Sequence, residues 1–365
     1  MKHPLVSGGL AVLILVGGIV AAGSFSVPAN ALSVDGQSIS RAALNSDLAT
    51  IEHNPAFGCY LDASVEVRSQ SEASLPAIAG QTSSGAYNTQ FVDFWLSQVI
   101  NNLLIEHLAE EQHLAIDSTA LAAGRQDLNN SISATLEDAA ASSGQSAVCA
   151  ASGQAIVRTL PSGLVEELVR AQAAGDQVLA RAAGYGLGTI ELSRYFATHA
   201  SQFQTVCLSA IEVSSQATAT SVRQGIESGA ESFAAAAKAD STDTSASNGG
   251  ALGCYSANEG AYETVVSDVS GLSVGEISQP ISDNGSYLLL EPTSYLPATF
   301  DDVVPAVRQA VLGDGSAKAS KELAALTKTA RVSVDPRYGI WDGASGVGIE
   351  SPKTPPSSDL LHPGE

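Results

Sequence analysis

The chain has 365 residues, which is enough for two domains with a sizeable core. Its formal net charge is -21, because 38 acidic residues outnumber 17 basic ones. A chain of this charge repels the phosphates of nucleic acids and anionic lipid surfaces, so we expect no nucleic-acid partner. The charge mainly favours solubility, and attraction of basic polypeptides is the alternative. No residue pattern calls for a cofactor, and we expect none.

Residues 1–31 predict an export segment. Lys2 and His3 precede an apolar run over residues 5–27, and the small-residue pattern Ala29-Asn30-Ala31 follows it. This arrangement is typical of a cleaved signal peptide, but the run is also long enough to cross a bilayer once. Both alternatives place the remaining chain outside the cytoplasm, because the early positive charge precedes the run. We expect membrane contact only through this segment, if it stays uncleaved.

Residues 32–204 predict a mostly helical region. It opens with a strand, an Asp35-Gly36 turn and a return strand, after which Ser40 can cap a helix. The stretch 54–88 is rich in Ser, Gly and Pro and predicts an irregular loop. Hydrophobic periodicity and capping residues predict further helices over about 89–113, 118–139, 161–183 and 189–203.

From residue 205 the hydrophobic period changes. Strands are predicted over 206–213, 252–255 and 287–291, with helices over 217–229 and 231–239 and a polar loop over 241–250. This alternation within about 90 residues predicts a compact α/β or α+β module. Two helices, 300–312 and 316–330, and a short strand at 332–334 follow it, and the tail over 343–365 is predicted to be disordered.

Four cysteines occur in the chain, and an even number in an exported protein indicates two disulfides. Sequence alone allows three pairings. We favour Cys59–Cys149 and Cys207–Cys254, because each pair then stays within one predicted domain. A metal site is the competing interpretation, but no C-x-x-C or H-x-x-x-H spacing accompanies these cysteines, and we expect no metal.

Three short stretches in the middle of the chain form an ordered set of motifs. They are Ser-Thr-Asp at 241–243, Asn-Gly-Gly-Ala-Leu-Gly at 248–253, and Leu-Ser-Val-Gly-Glu-Ile-Ser-Gln-Pro at 272–280. In order and spacing this set resembles the parvulin-type (PpiC-like) peptidyl-prolyl isomerase domain. The early strand–turn–strand with its capped helix and the late helix before Val-Ser-Val-Asp-Pro resemble extracytoplasmic foldases of the SurA and PrsA kind.

The resemblance implies an α+β architecture. A helical chaperone domain would be formed by residues 32–204 together with residues 298–342, and a parvulin-like domain at 205–297 would be inserted between these two segments. It also implies that the partners are unfolded or proline-containing exported polypeptides.

Isomerisation of an X-Pro bond requires rotation about a planar amide with a barrier of roughly 20 kcal/mol. Catalysis needs an apolar pocket for the proline ring and hydrogen-bonding groups that favour the twisted amide. Parvulins usually carry two histidines at the pocket floor, and alignment places Ala210 and Tyr287 at those positions. Both histidines are therefore replaced.

The resemblance implies two groups of site residues. The catalytic candidates are Asp243, Thr244 and Tyr287, and the substrate-binding candidates are Leu252, Tyr255 and Tyr262. Each has an ordinary alternative, because a strand tyrosine or leucine often packs in the core and an Asp in a loop often forms a turn. If the functional interpretation holds, Asp243, Leu252 and Tyr287 converge on one hollow that accepts a proline.

Two functions remain open from the sequence. The first, which the family resemblance favours, is an exported peptidyl-prolyl isomerase that assists the folding of secreted proteins. The second is a holdase chaperone whose parvulin-like domain binds extended peptides without turnover, and the two missing histidines favour it. A purely structural envelope protein is a third alternative, supported only by the acidic composition.

Overall fold

The computed structural model describes residues 30–69, 87–143, 149, 151–256, 263–283, 285–343 and 348–350. The predicted export segment lies outside these residues, except that Asn30 and Ala31 already belong to the first strand. The tail predicted to be disordered from residue 343 begins too early, because residues 348–350 form a strand. Among the described helices, none is both long and apolar enough to cross a membrane.

The elements follow one another along the chain in a mixed α and β order. The helices are α1 (Arg41–Glu52), α2 (Pro55–Ser69), α3 (Thr89–Glu111), α4 (Ser118–Ser143), α5 (Gly153–Val157), α6 (Ser162–Ala183), α7 (Thr189–His199), α8 (Gln216–Glu227), α9 (Phe233–Asp240), α10 (Glu263–Val269) and α11 (Phe300–Thr329). The strands are β1 (Asn30–Val34), β2 (Gln37–Ser40), β3 (Thr205–Val213), β4 (Ala251–Ser256), β5 (Ile281–Asp283), β6 (Ser286–Leu296), β7 (Val332–Val334), β8 (Ile340–Asp342) and β9 (Gly348–Glu350).

The chain divides into two compact units. Met1–Gly186 and Leu312–Glu365 together form the first, here called the helical unit, and Leu187–Val311 forms the second, here called the sheet unit. The sheet unit is wider than the predicted module at 205–297. It includes α7, because Phe196 on that helix contacts Phe203 and Phe300, with ring centroids 5.7 and 5.9 Å apart.

The two ends of the chain meet within the helical unit. Strand β7, near the C-terminus, pairs antiparallel with β1, and Ser33 lies opposite Ser333. The Nε of Arg41 donates a hydrogen bond of 2.8 Å to Oδ2 of Asp335, which fixes the start of α1 to the residue after β7. The prediction that N- and C-terminal segments build one domain around an inserted module is therefore confirmed.

Local sequence signals account for most of the helical unit. Ser40 caps α1 by accepting a hydrogen bond of 3.1 Å from the N–H of Ala43, as predicted. The predicted loop over 54–88 is wrong at its start, where α2 forms. Asn54 caps this helix by accepting from the N–H of Phe57 (3.1 Å), and Pro55 occupies the first helical position, where a missing N–H has no cost.

Helix α11 runs without interruption through a stretch that predicted two helices. The predicted helices ended at residue 312 and began again at 316, with Gly313 and Gly315 between them. In the structure Gly315 is buried against α6, and a Cβ placed on it would lie 1.8 Å from the carbonyl oxygen of Leu179. The glycine therefore permits a close helix–helix contact and does not end the helix.

The four cysteines are bonded in the two pairs that the sequence favoured. Cys59 on α2 joins Cys149, with Cα atoms 5.7 Å apart. Cys207 on β3 joins Cys254 on β4, where the two residues face each other directly across the antiparallel pair. The second bond ties the edge strand β4 to the centre of its sheet.

Candidate functional site

The sheet unit contains one four-stranded antiparallel sheet in the order β4-β3-β6-β5. Successive residues of a strand point to opposite faces, so the sheet has two distinct sides. One side, the back face, is formed around Ile211, Val213 and Leu289 and is covered by α8 and α9. The other side, the front face, is formed around Val206, Leu208, Ala210 and Leu290, with Val269 of α10 packed on it.

The first two motifs hold the loop over 241–250 along the outer edge of β3. The Oγ of Ser241 accepts a hydrogen bond of 3.0 Å from the N–H of Glu212, and the N–H of Thr242 donates to the carbonyl of Glu212 at 2.8 Å. Further along, the N–H of Ala210 donates to the carbonyl of Gly250 at 2.8 Å. These bonds satisfy edge groups of β3 that β4 does not reach.

Gly250 is required by this arrangement. Its φ of +83° lies in the left-handed region, and a Cβ would sit 2.5 Å from the carbonyl oxygen of Ala210. The Gly-Gly element of the motif therefore lets the loop approach β3 closely at Ala210, where the resemblance predicted the first pocket histidine.

The third motif fastens the segment before β5 to β6. Glu276 closes a turn by accepting a hydrogen bond of 2.9 Å from the N–H of Ser273, and Gly275 (φ +81°) donates its N–H to the carbonyl of Pro292 at 2.8 Å. The buried Ser278 then exchanges two bonds of 2.9 Å with the backbone of Leu290. All three motifs thus build the frame of the sheet.

Leu252 and Tyr255 both pack on the front face, beside Ala210 and Leu290. The hydroxyl of Tyr255 donates to the carbonyl of Leu252 at 2.8 Å, which holds the two residues together at the edge strand. Leu252 is half-buried, so part of its side chain remains open to solvent. The structure therefore brings these two substrate-binding candidates together, next to the position expected for the first histidine.

A tyrosine on β6 ties α10 to the front face. The hydroxyl of Tyr295 donates to the carbonyls of Val269 (3.0 Å) and Leu272 (2.8 Å) at the C-terminal end of that helix. Burial raises the pKa of Tyr295, and the negative charge of Glu276 raises it further. The phenol therefore stays protonated and keeps donating these bonds at neutral pH.

Tyr287 lies on the opposite side of the sheet from Leu252. It faces Val213 across the β3–β6 pair, and its ring packs with the back-face residues, together with Ile226 of α8. The expectation of one hollow shared by Asp243, Leu252 and Tyr287 is therefore wrong for Tyr287. The strand register explains the error, because Tyr287 is an odd number of residues from the front-face residue Leu290.

Asp243 is engaged in forming the loop. Its Oδ1 accepts hydrogen bonds from both the N–H (2.7 Å) and the hydroxyl of Ser245, as in an Asx turn. Thr244 beside it is exposed, and Tyr262 lies outside the described residues. The structure thus separates Tyr287 from Leu252, and the roles proposed for Asp243 and Thr244 stay predictions.

Glu212 was not selected by the sequence analysis, yet it belongs to the front face. Ile211 and Val213 on either side of it pack on the back face, so its side chain points to the same side as Ala210. The signal was its position two residues after Ala210 on a predicted strand. Across the described ranges, no three His, Cys, Asp or Glu side chains are grouped so that they could hold a metal.

Comparison with known proteins identifies the middle of the chain. Residues 208–293 match the family model described as rotamase, the PPIC-type PPIase domain. Foldase protein PrsA of Caldanaerobacter subterraneus subsp. tengcongensis is 32% identical over 133 residues, which are 36% of this chain and 43% of that protein. The chain thus spans less than half the length of this curated relative.

Solved structures of PrsA proteins give weaker matches. The peptidylprolyl isomerase PrsA of Bacillus cereus is 16% identical, with 70% of this chain and 93% of that chain covered and a TM-score of 0.39. Foldase protein PrsA of Streptococcus pneumoniae is 16% identical, with 82% and 91% covered and a TM-score of 0.31. The chain contains a PPIC-type domain and is similar to PrsA in sequence.

Proposed function

We propose that this chain, which carries a PPIC-type PPIase domain at residues 208–293, is an extracytoplasmic folding factor that binds proline-containing segments of exported polypeptides. The observation that carries the proposal is the front face of the sheet. There Leu252 and Tyr255 lie beside Ala210, on a sheet that hydrogen bonds from the three motifs hold in place. An apolar patch that stays partly open suits a proline ring, which has no N–H to satisfy.

The location outside the cytoplasm is supported by three features. Residues 1–31 carry the export pattern. Two disulfides stabilise the fold, as is usual in oxidising compartments. The similarity to a foldase of the PrsA kind supports the same location.

Peptidyl-prolyl isomerase activity is the first form that this function can take, and the family match favours it. Turnover requires groups that hydrogen-bond to the amide as it twists. On the front face the methyl group of Ala210 cannot supply such a bond, and Tyr287 lies on the back face. We therefore infer a second form, a holdase that binds extended segments with little or no turnover.

One preparation of the purified protein can distinguish these forms. Isomerisation of a short X-Pro peptide measures turnover, and suppression of the aggregation of an unfolded polypeptide measures holding. Both activities together support the isomerase, whereas holding without turnover supports the holdase. If the protein neither binds X-Pro peptides nor suppresses aggregation, the proposed function is refuted.

Variants locate the binding surface. Leu252→Ala removes apolar area from the front face and is expected to weaken peptide binding about fivefold, the equivalent of roughly 1 kcal/mol for a half-buried leucine. Tyr287→Phe is the matched control, because it alters a back-face residue on the same sheet and is expected to leave binding unchanged. Equal losses in both variants would contradict binding at the front face.

A further inference from the structure

We propose that the front face selects segments in which a lysine or arginine lies next to the proline, and that Glu212 is the residue responsible. The inference rests on the proposed function, since it assigns a substrate preference to the same surface. It follows from the placement of one carboxylate in an apolar row of that surface.

The register of the sheet places Glu212 among apolar residues. Its direct neighbour across the β3–β6 pair is Leu288, and Leu288 in turn faces Ile281 on β5. Because Tyr287 and Leu289 point to the back face, Leu288 points to the front. Glu212, Leu288 and Ile281 therefore form a row across the front face, and all three are half-buried.

The backbone of Glu212 is fixed, while its carboxylate is left for a ligand. Its N–H donates to Ser241, and its carbonyl accepts from Thr242, so the residue cannot shift along the edge. No hydrogen bond or ion pair joins the carboxylate to another residue in the described part of the chain. A half-buried carboxylate beside leucine and isoleucine is best satisfied by a cation with an aliphatic stem, as lysine and arginine have.

The charge of the sheet unit favours the same kind of segment. Residues 187–311 contain 14 acidic residues and four basic ones. Two of the four, Arg194 and Arg223, already pair with Glu191 and Glu227. The remaining negative charge attracts basic segments at long range and repels acidic or phosphorylated ones.

Three peptides that differ only in the residue before proline test the preference. They carry Lys-Pro, Gln-Pro or Glu-Pro in an otherwise identical sequence, and their dissociation constants are measured with the full protein in about 20 mM and about 0.5 M salt. We expect the Lys-Pro peptide to bind about twofold to fivefold more tightly than the Gln-Pro peptide in low salt, as for a solvent-accessible ion pair. The Glu-Pro peptide should bind most weakly, and high salt should reduce both differences.

Glu212→Gln keeps the shape of the side chain and removes its charge, so it should abolish most of the Lys-Pro preference. Glu227→Gln is the control. It changes the net charge equally but lies on α8, which covers the back face. Equal reduction of the preference by both variants would show that net charge, and not Glu212, causes it, and would overturn the assignment.

The possible outcomes separate this inference from the proposed function. If the wild-type protein binds the three peptides equally, the charge preference is wrong and the proposed function stands. If none of the three binds, the proposed function fails as well. A preference for Glu-Pro would overturn the inference directly.

Discussion

The close contact between α11 and α6 gives the sharpest test of the structure. Gly315 is buried on α11, and its missing side chain lets the carbonyl oxygen of Leu179 approach. Gly313, two residues earlier on the same helix, is exposed and has no atom near the position of a Cβ. The substitutions Gly315→Ala and Gly313→Ala therefore differ only in whether the new methyl group has space.

The geometry sets the size of the effect. The methyl carbon at position 315 would lie 1.8 Å from the Leu179 oxygen, whereas carbon–oxygen contacts need about 3.3 Å, so the helices must separate by about 1.5 Å. Overpacking of this kind costs about 1–3 kcal/mol. Both variants gain about 1 kcal/mol of helix propensity, so this gain cancels when they are compared. We expect Gly313→Ala to be more stable than wild type, and Gly315→Ala to be less stable than Gly313→Ala by about 1–3 kcal/mol.

Tryptophan fluorescence is the suitable assay. The chain contains two tryptophans, Trp95 on α3 and Trp341 on β8, and both belong to the helical unit in which the contact lies. Their emission during thermal or urea unfolding therefore follows this unit selectively. A difference of 1 kcal/mol should shift the midpoint by about 2–4 °C. If both alanine variants are stabilised equally, α11 does not pack closely on α6 at Gly315.

Three further predictions concern the pKa of Asp47, Gly250 in the loop over 241–250, and the Cys59–Cys149 disulfide. Burial and the negative charge of Glu167 raise the pKa of Asp47 from 3.8 to about 8, so its contribution to stability is complete below about pH 4 and is lost as the pH rises through 8. Asp47→Asn should flatten the fall of the melting temperature between about pH 5 and about pH 9, and an unchanged slope would contradict the shift. Gly250→Ala should lower stability by about 1–3 kcal/mol, because its Cβ would meet the Ala210 oxygen at 2.5 Å, and urea unfolding of the purified variant measures this. Replacing both cysteines of the Cys59–Cys149 bond, which closes a 90-residue separation, with serine should cost about 2–5 kcal/mol in the same assay, and a loss below about 1 kcal/mol would show that the bond is not structural.

Sequence reasoning succeeded where local signals decide the structure. The cap at Ser40 and the apolar stripe of α3 depend on residues within a few positions of each other, so their pattern is complete in the sequence. The missed helix α2 also had a local signal, Asn54 followed by Pro55, which the Ser-, Gly- and Pro-rich composition of the surrounding stretch obscured.

The candidate site was only partly predictable. The motifs identified the sheet, and the structure brings Leu252 and Tyr255 together on one face with Ala210. They could not place Tyr287, because a shift of one residue in an aligned strand moves a side chain to the other face. The same rule explains why Glu212 was overlooked. Its side chain reaches the front face because its neighbours Ile211 and Val213 face the back.

The sequence by itself determined most of the helices and strands, the export pattern and the three motifs that mark the PPIC-type domain. Only the tertiary structure decided which residues share a face, and that Gly315 allows two helices to pack closely and does not end one. Periodicity and capping are set by near neighbours along the chain. The side of the sheet reached by Glu212 or Tyr287, and the space left at Gly315, depend on strands and helices that are distant in sequence and meet only in the folded protein.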